Sequence, residues 1–405
     1  MNILILNHNL RERGTYFRAQ EIARGLHARG HDVTFVGTGN GYYRPRKVDE
    51  AERWLHWETA NWSALRGGGE GFSHLGQLQR YLLFRKKKWD FIYTFSHTPV
   101  DQGSARMLRR DSTFWMTDWC DLWNSEQGGL HDTRYWSLPL PMEMSGIRGR
   151  LMRASFRAED AMEERAAIDA DAVSIIVEPM RLRTRELSIP DDRVLHLVSG
   201  ADTRRIDALD RDECRKKLQL PHDRLIIGYV ANVTPDTEQL IGAMKIVWEK
   251  IPDAMMISVG PRWYQETDVI GEAKRAGKLI DYGFRPFAEV PQFLGASDLL
   301  VMPIRDLPFN RCRWPNKFGD YMASGRATAS CTVGDMGRII KDYDVGRAGE
   351  PAAYGLAQGI LELAENRALR ERCGVNARTA AEQNFSWQGQ LDRLVGFLKG
   401  RGLDL

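Results

Sequence analysis

Short apolar runs alternate with longer amphipathic stretches along most of the chain. Ile3–Leu6 is a continuous apolar run, which predicts a short strand buried on both faces. The polar stretch Arg11-Glu12-Arg13-Gly14 follows. Phe17, Ile22 and Leu26, with neighbouring alanines, then recur at helical spacing as far as Arg29-Gly30. Val33–Val36 is the next apolar run. A strand, a helix and a strand in this order need a parallel crossover. Further strands are predicted at Phe91–Phe95, Ser112–Met116, Ala172–Val177 and Val194–Val198. The alternation then restarts, with strands predicted at Leu225–Val230, Ala254–Val259, Leu279–Tyr282, Asp298–Ile304 and Ala327–Cys331. Between them, Glu238–Lys250 carries Leu240, Ile241, Met244, Val247 and Trp248 on one helical stripe. Two α/β series meeting near residues 200–220 predict two doubly wound domains with a cleft between them. Ligands of such sheets bind outside the carboxyl ends of the strands, here the loops after Leu6, Phe95, Val230, Val259 and Ile304. Residues 38–90 are less regular. Within them Arg85-Lys86-Lys87-Lys88 closes a helix beginning near His74, where cations suit the negative helix end better than they make a membrane anchor.

Composition narrows the class without changing this picture. The chain has 405 residues, 43% hydrophobic and 27% charged, which describes a globular protein long enough for two or three domains. With 57 Lys and Arg against 54 Asp and Glu, the net charge of +3 gives no reason to expect a nucleic-acid partner. No run approaches the ~20 apolar residues that span a bilayer, and Met1–Leu6 lacks the basic start of a signal peptide. The five cysteines are scattered without a Cys-x-x-Cys pair, which argues against disulfides and zinc and for a reducing cytoplasm. Any membrane contact is expected to be peripheral at most.

The segment Arg305–Ser324 carries the clearest chemistry. Loop arginines Arg305, Arg311 and Arg313 precede Pro315, a residue suited to the first helical position. Asn316, Lys317 and Phe318 fall in the first turn, whose free N–H groups and positive dipole favour an anion. Asp320 lies three residues beyond Lys317, on the same side of the helix. A carboxylate there accepts hydrogen bonds from a ribose diol while Lys317 and the amides hold a diphosphate. As a plain ion pair the two stand in the poorer order, and both oppose the dipole preference. Elsewhere, Gly14 lets the backbone approach a ligand at the start of the first helix, and Arg18, one turn on, either faces the cleft or is a solvated arginine. His97 follows the Phe91–Phe95 strand. Asp118 and Asp121 follow the next one, as acceptor ligands or as structural carboxylates. Two carboxylates without a third ligand do not make a metal site.

These residues also carry a resemblance. Pro-Asn-Lys-Phe-Gly-Asp-Tyr-Met-Ala-Ser-Gly (315–325) resembles the Pro-x-Lys-x-x-Glu-Tyr-x-Ala-x-Gly signature of family 4 glycosyltransferases. Gly30-His31-Asp32-Val33-Thr34, Gly200-Ala201-Asp202-Thr203, Tyr282-Gly283-Phe284 with Val290-Pro291, and Asn384-Phe385-Ser386-Trp387 resemble further family segments in the same order, so the likeness covers most of the chain. It implies the GT-B fold, α/β with two Rossmann-like domains facing a central cleft. Residues 1–200 would form the acceptor domain, 201–383 the nucleotide-sugar domain, and 384–405 a helix crossing back to the first.

The implied reaction is retaining, metal-independent, front-face glycosyl transfer from a nucleotide-diphosphate sugar, of UDP or GDP type, to a small-molecule, glycan or lipid-linked acceptor. That donor is a co-substrate, and no cofactor is implied. His97 and Lys317 would be catalytic. Asp320, Asn316, Arg311, Asn232, Gly14 and Phe284 would bind the donor, and Asp118, Asp121 and Arg18 the acceptor. The sequence departs from the family in two places. Asn232 and Thr237 stand where an Arg/Lys pair is usual, so Arg311 and Lys317 are the expected substitutes. The first of the family's two glutamates falls on Cys312. A non-catalytic nucleotide-sugar-binding protein or a cyclitol-coupling enzyme are the alternative readings.

Overall fold

Apolar runs with no polar face form strands that must be covered on both sides, and Ile3, Leu4, Ile5 and Leu6 are wholly buried. The structure is a computed structural model that describes residues 1–10, 14–39, 46–48, 55–59, 74–95, 98–123, 146–230, 236–261 and 267–405. The described chain separates into two compact units. One holds residues up to Val198 together with Gln390–Leu405, and the other holds Ser199–Gly389.

In the first unit β1 (Asn2–Leu10), β2 (Asp32–Thr38), β3 (Arg46–Val48), β4 (Leu55–Thr59), β5 (Phe91–Phe95), β6 (Phe114–Trp119), β7 (Ala172–Ile175) and β8 (Val194–His196) make one sheet. Its order is β3-β4-β2-β1-β5-β6-β7-β8, parallel throughout except for β3 against β4. In the second unit β9 (Ile226–Val230), β10 (Met255–Val259), β11 (Leu279–Asp281), β12 (Leu299–Val301), β13 (Ala327–Cys331) and β14 (Gly346–Gly349) form a wholly parallel sheet, ordered β11-β10-β9-β12-β13-β14. Both sheets run outward from their first strand on one side and then resume on the other. The reversal falls between β1 and β5 and between β9 and β12, the two places where an open α/β sheet has a crevice at its carboxyl edge.

Packing around each sheet follows the apolar pattern. Leu4, Leu6, Val36, Ile92 and Trp115 share a core with Ala166 of the long helix Gly146–Asp169 and Ala170 just past its end. Ile226, Met255, Ile257 and Val259 share another with Leu220 and Phe293. The last helix, Trp387–Lys399, returns the chain to the first unit, where Leu391 sits against Gly25 so closely that a Cβ there would lie 2.0 Å from its Cδ1. Among the described residues no helix is long and apolar enough to cross a membrane.

Several element ends differ from the sequence expectation. β1 runs on through Asn7, His8 and Asn9 to Leu10, because those polar side chains are buried and bonded. β12 is only Leu299–Val301. Pro315 stands just outside the helix Asn316–Ala323 as its N-cap.

Candidate functional site

The crevice of the second unit lies where β9 and β12 stop pairing. The two strands match only at Leu299–Ile227 and Leu300–Gly228, and beyond that point a tyrosine hydroxyl takes over. Buried Tyr321, on the helix Asn316–Ala323, accepts a hydrogen bond from the Val230 N–H at 2.9 Å and lies 3.4 Å from the Val230 and Val301 carbonyls. The helix is thereby tied to the ends of both central strands. Its other face rests on the turn at Gly200-Ala201, which comes so near Gly319 that a Cβ there would lie 3.2 Å from Ala201 Cα. That turn is itself held to the segment before the last helix, since the Ala201 N–H donates to the Phe385 carbonyl at 2.6 Å.

The loop between β12 and this helix is organised by a buried carboxylate, Asp236. Its Oδ1 accepts from the Arg305 N–H at 3.0 Å and from Asn310 Nδ2 at 3.1 Å, and its Oδ2 accepts from Arg313 Nη2 at 3.0 Å. Asn310 also donates to the Arg305 carbonyl at 2.8 Å. The Nε–H groups of Arg305 and Arg313 are buried and make no hydrogen bond among the described residues. Trp314 packs against Phe318 and Phe385, with ring centres 5.7 and 6.0 Å away, and fixes the entry to the helix.

No side chain caps the helix, so the Asn316 and Lys317 N–H groups are left for a ligand or water. Lys317 and Asp320 are half-buried and neither makes a hydrogen bond or ion pair among the described residues. Burial, with Arg313 nearby, pushes the Lys317 ammonium down to about 7. Burial, with Asp202 nearby, pushes the Asp320 carboxyl up to about 7. Asp202 is itself paired with Arg205, whose charge works the other way on Asp320. Two groups held this far from their ordinary charge states, at the crevice of a doubly wound sheet, fit a site built for a ligand that supplies what each lacks. An anion would satisfy Lys317, and a pair of hydroxyl donors would satisfy Asp320.

Phe284 stands at the carboxyl edge of the same sheet, 77% exposed. It follows Gly283, whose φ of +64° closes a turn in which Asp281 Oδ1 accepts from the Gly283 N–H at 3.1 Å. Asn316 is exposed at the helix start. Arg311, expected among the phosphate ligands, instead makes a two-pronged pair with Asp306 on the surface. Arg313, two residues on, is the arginine brought beside Lys317. Asn232 and His97 lie outside the described residues.

In the first unit, Arg18 and Asp118 engage each other rather than the surface. Arg18 Nε and Nη2 donate to the two Asp118 oxygens at 3.0 and 2.8 Å, and Nη2 also reaches the Leu197 carbonyl at 2.6 Å. Both side chains are buried, so the expectation that they present themselves to an acceptor gives way to a structural ion pair with Tyr93 and Ser174 around it. Asp121 is half-buried just past β6. Gly14, with φ +53°, makes the turn into the helix Tyr16–Ala28, and Thr15 there donates its N–H to Asn9 Oδ1 at 3.0 Å. Asn7 Nδ2 crosses to the Phe95 carbonyl at 3.1 Å and spans the β1–β5 crevice.

Asp236 and Tyr321 organise this region although no expectation included them, whereas Arg313 was expected only as one of three loop arginines near the anion site. The signal available for Asp236 was its place six residues past the end of β9, immediately before the helix Thr237–Lys250.

Comparison with known proteins identifies the family and the fold. Residues 13–197 match the model of the glycosyl transferase 4-like domain, and residues 210–380 match that of the glycosyl transferases group 1. Spore coat protein SA of Bacillus subtilis is 25% identical over 200 residues, covering 46% of this chain and 51% of that protein. A GDP-mannose-dependent monoacylated alpha-(1-6)-phosphatidylinositol monomannoside mannosyltransferase of Corynebacterium glutamicum is 26% identical over 229 residues, covering 50% and 55%. The match thus spans about half the length of these relatives. Among solved structures, sucrose-phosphate synthase from Thermosynechococcus elongatus superposes with a TM-score of 0.73 at 15% identity, covering 99% of this chain and 98% of that one. Anabaena HepE in complex with UDP superposes with a TM-score of 0.70 at 16% identity, covering 99% and 100%. The fold these share is GT-B, two Rossmann-like domains. With both halves of the chain matched by glycosyltransferase models, the chain belongs to the family 4-type glycosyltransferases.

Proposed function

We propose that the protein transfers a glycosyl group from a nucleotide-diphosphate sugar to a hydroxyl or amine acceptor, with retention and without a metal ion. The observation that carries the donor assignment is the Lys317–Asp320 pair, half-buried, unpaired and drawn toward neutrality from opposite sides. In this reading the diphosphate lies against the Asn316 and Lys317 N–H groups, with the Lys317 ammonium and the Arg313 guanidinium as its cations. The ribose diol donates to Asp320, and the base lies along Phe284 beyond Gly283. The second unit therefore holds the donor and the first unit the acceptor, with Gly14 and Asp121 as its contacts and His97 serving the transfer step. The UDP-glucose of a HepE complex and the GDP-mannose of the mannosyltransferase's name are both donors of this class.

The chemistry follows from charge. The bond between the anomeric carbon and the β-phosphate oxygen breaks, and the acceptor oxygen or nitrogen attacks from the same face. The departing phosphate oxygen takes the acceptor's proton, so no separate base is needed. Cations and amides fixed where negative charge grows lower the barrier without reorganising. The five cysteines are all free thiols, which suits a cytoplasmic setting. Incubation with a panel of UDP- and GDP-sugars, scored for hydrolysis and for transfer in EDTA, tests the reading. Turnover of none of them, or turnover only when Mg²⁺ or Mn²⁺ is restored, would overturn it.

A further inference from the structure

The helix His74–Phe84 turns one side inward, with Arg80 and Phe84 buried, yet leaves three leucines on the other. Leu75, Leu78 and Leu82 are 60%, 45% and 50% exposed. Their spacing of three and four residues places them on one stripe along the helix. A surface helix of a water-soluble face would carry polar residues at these positions.

The stripe runs directly into positive charge. The Arg85 N–H continues the helical bonding to the Tyr81 carbonyl at 2.9 Å, so Arg85 and Lys86 follow Leu82 on the same side. Arg85, Lys86, Lys88 and Arg110 are exposed and have no ion-pair partner among the described residues. Arg110 belongs to the same patch, since its Nη2 donates to the Arg85 carbonyl at 3.0 Å. The other nearby cations are already used. Lys87 pairs with Asp32 at 2.7 Å, Arg106 with Asp169 at 2.8 Å and Arg109 with Asp171 at 2.7 Å. The exposed acids beside them among the described residues are Asp111 and Asp32, and Asp32 is taken up by Lys87.

The neighbouring helix Pro99–Leu108 lies alongside in the same direction, with Gly103 against Gln77 and Arg110 against Arg85. A Cβ at Gly103 would lie 2.3 Å from Gln77 Oε1, so the two helices form one close-packed platform. Met107 on the second helix is 43% exposed.

We propose that this platform docks on an anionic lipid surface, with Leu75, Leu78 and Leu82 entering the headgroup–acyl boundary and Arg85, Lys86, Lys88 and Arg110 against the lipid phosphates. The apolar stripe and the basic end are complementary to the two layers that such a surface presents side by side. Either feature alone binds weakly. Together they supply the two signals that stable peripheral attachment requires. A protein partner or a second copy would have to match four uncompensated cations as well as the leucines, and no acidic surface of that kind is available on the described platform itself.

Co-sedimentation of the full chain with phosphatidylcholine vesicles, and with vesicles containing about 30 mol % phosphatidylglycerol, is the test. The chain is expected to bind the anionic vesicles, to bind the neutral ones at least about tenfold more weakly, and to be released by salt. Arg85→Glu/Lys86→Glu/Lys88→Glu should abolish the preference for anionic lipid. Leu75→Ser/Leu78→Ser/Leu82→Ser should weaken binding even at low salt. Both variants should keep the parental melting temperature and nucleotide affinity, which shows that they fold. The proposal is overturned if the chain binds neither vesicle, or if both triple variants bind as the parent does. It is equally overturned if sedimentation finds a dimer that the leucine variant dissociates, because the stripe would then belong to a second copy.

Discussion

The Tyr321 hydroxyl stands 2.9 Å from the Val230 N–H, where β9 has run past its pairing with β12. One side chain of the helix that carries Lys317 and Asp320 thus sets how that helix meets the sheet. Tyr321→Phe leaves the Val230 N–H without this acceptor, at a cost of about 1–3 kcal/mol. The melting temperature should fall by several degrees, at about 2–4 °C per kcal/mol for a domain of this size. Nucleotide affinity should fall with it. A variant that melts and binds as the parent does would show that the hydroxyl is not what positions the helix.

Asp236 and Arg311 give opposite expectations. Asp236→Ala removes the shared anchor of Arg305, Asn310 and Arg313 and leaves a buried guanidinium uncompensated, a change of about 3–5 kcal/mol. Arg311→Ala opens only a surface pair with Asp306, at about 0–1 kcal/mol. Chemical denaturation should separate the two variants clearly, and calorimetry should find that only Asp236→Ala weakens UDP or GDP. Equal losses from both would return Arg311 to the phosphate site.

Protonation sets the pH dependence of binding. Lys317 titrates near 7 and must be charged to hold a diphosphate, so affinity falls as pH rises above that value. Asp320 also titrates near 7 and must be ionised to accept from the diol, so affinity falls below it. Calorimetry across pH should find a maximum near 7, and Lys317→Met should lose the alkaline limb. The same shifts bear on stability. Between about 7 and 10.5 the unfolded chain holds the Lys317 proton more tightly, so stability rises with pH across that window. Between 3.8 and about 7 the folded chain holds the Asp320 proton more tightly, so stability falls as pH rises. Both groups therefore cost most near pH 7, where Lys317→Met should raise the melting temperature while weakening nucleotide binding.

His97→Ala tests the transfer step separately. A side chain acting mainly on the transition state lowers kcat, by about 10²-fold for ~2.7 kcal/mol, with nucleotide affinity nearly constant. Full kcat in this variant would leave His97 without a part in the transfer step and move the search to Asp121.

Much of the fold was legible because buried parallel strands announce themselves as apolar runs, and Phe91–Phe95 and Ala327–Cys331 fall where those runs lie. β14 was not legible. Gly346-Arg347-Ala348-Gly349 has no apolar run, and Gly346 is required because a Cβ would meet the Thr328 carbonyl at 1.9 Å. β3 and β4 fall in a stretch that reads as irregular. The end of β1 was hidden for another reason. Asn7, His8 and Asn9 read as loop residues, although their polar groups are satisfied inside. The helix of Lys317 and Asp320 was readable from local spacing alone. The Arg18–Asp118 pair was not, because its partners lie 100 residues apart and only the assembled sheet brings them together. For the same reason Asp236 could not be seen as the anchor of Arg313, 77 residues away.

Calorimetric titration of UDP and GDP into the parent chain and into Asp320→Ala tests the central claim most directly. At least one nucleotide should bind the parent, and its affinity should fall by about 1.5–3 kcal/mol, roughly 10- to 150-fold, when the charge-assisted bonds to the ribose are lost. Unchanged affinity for every nucleotide that binds would contradict the assignment of the Asn316–Ala323 helix as the donor site.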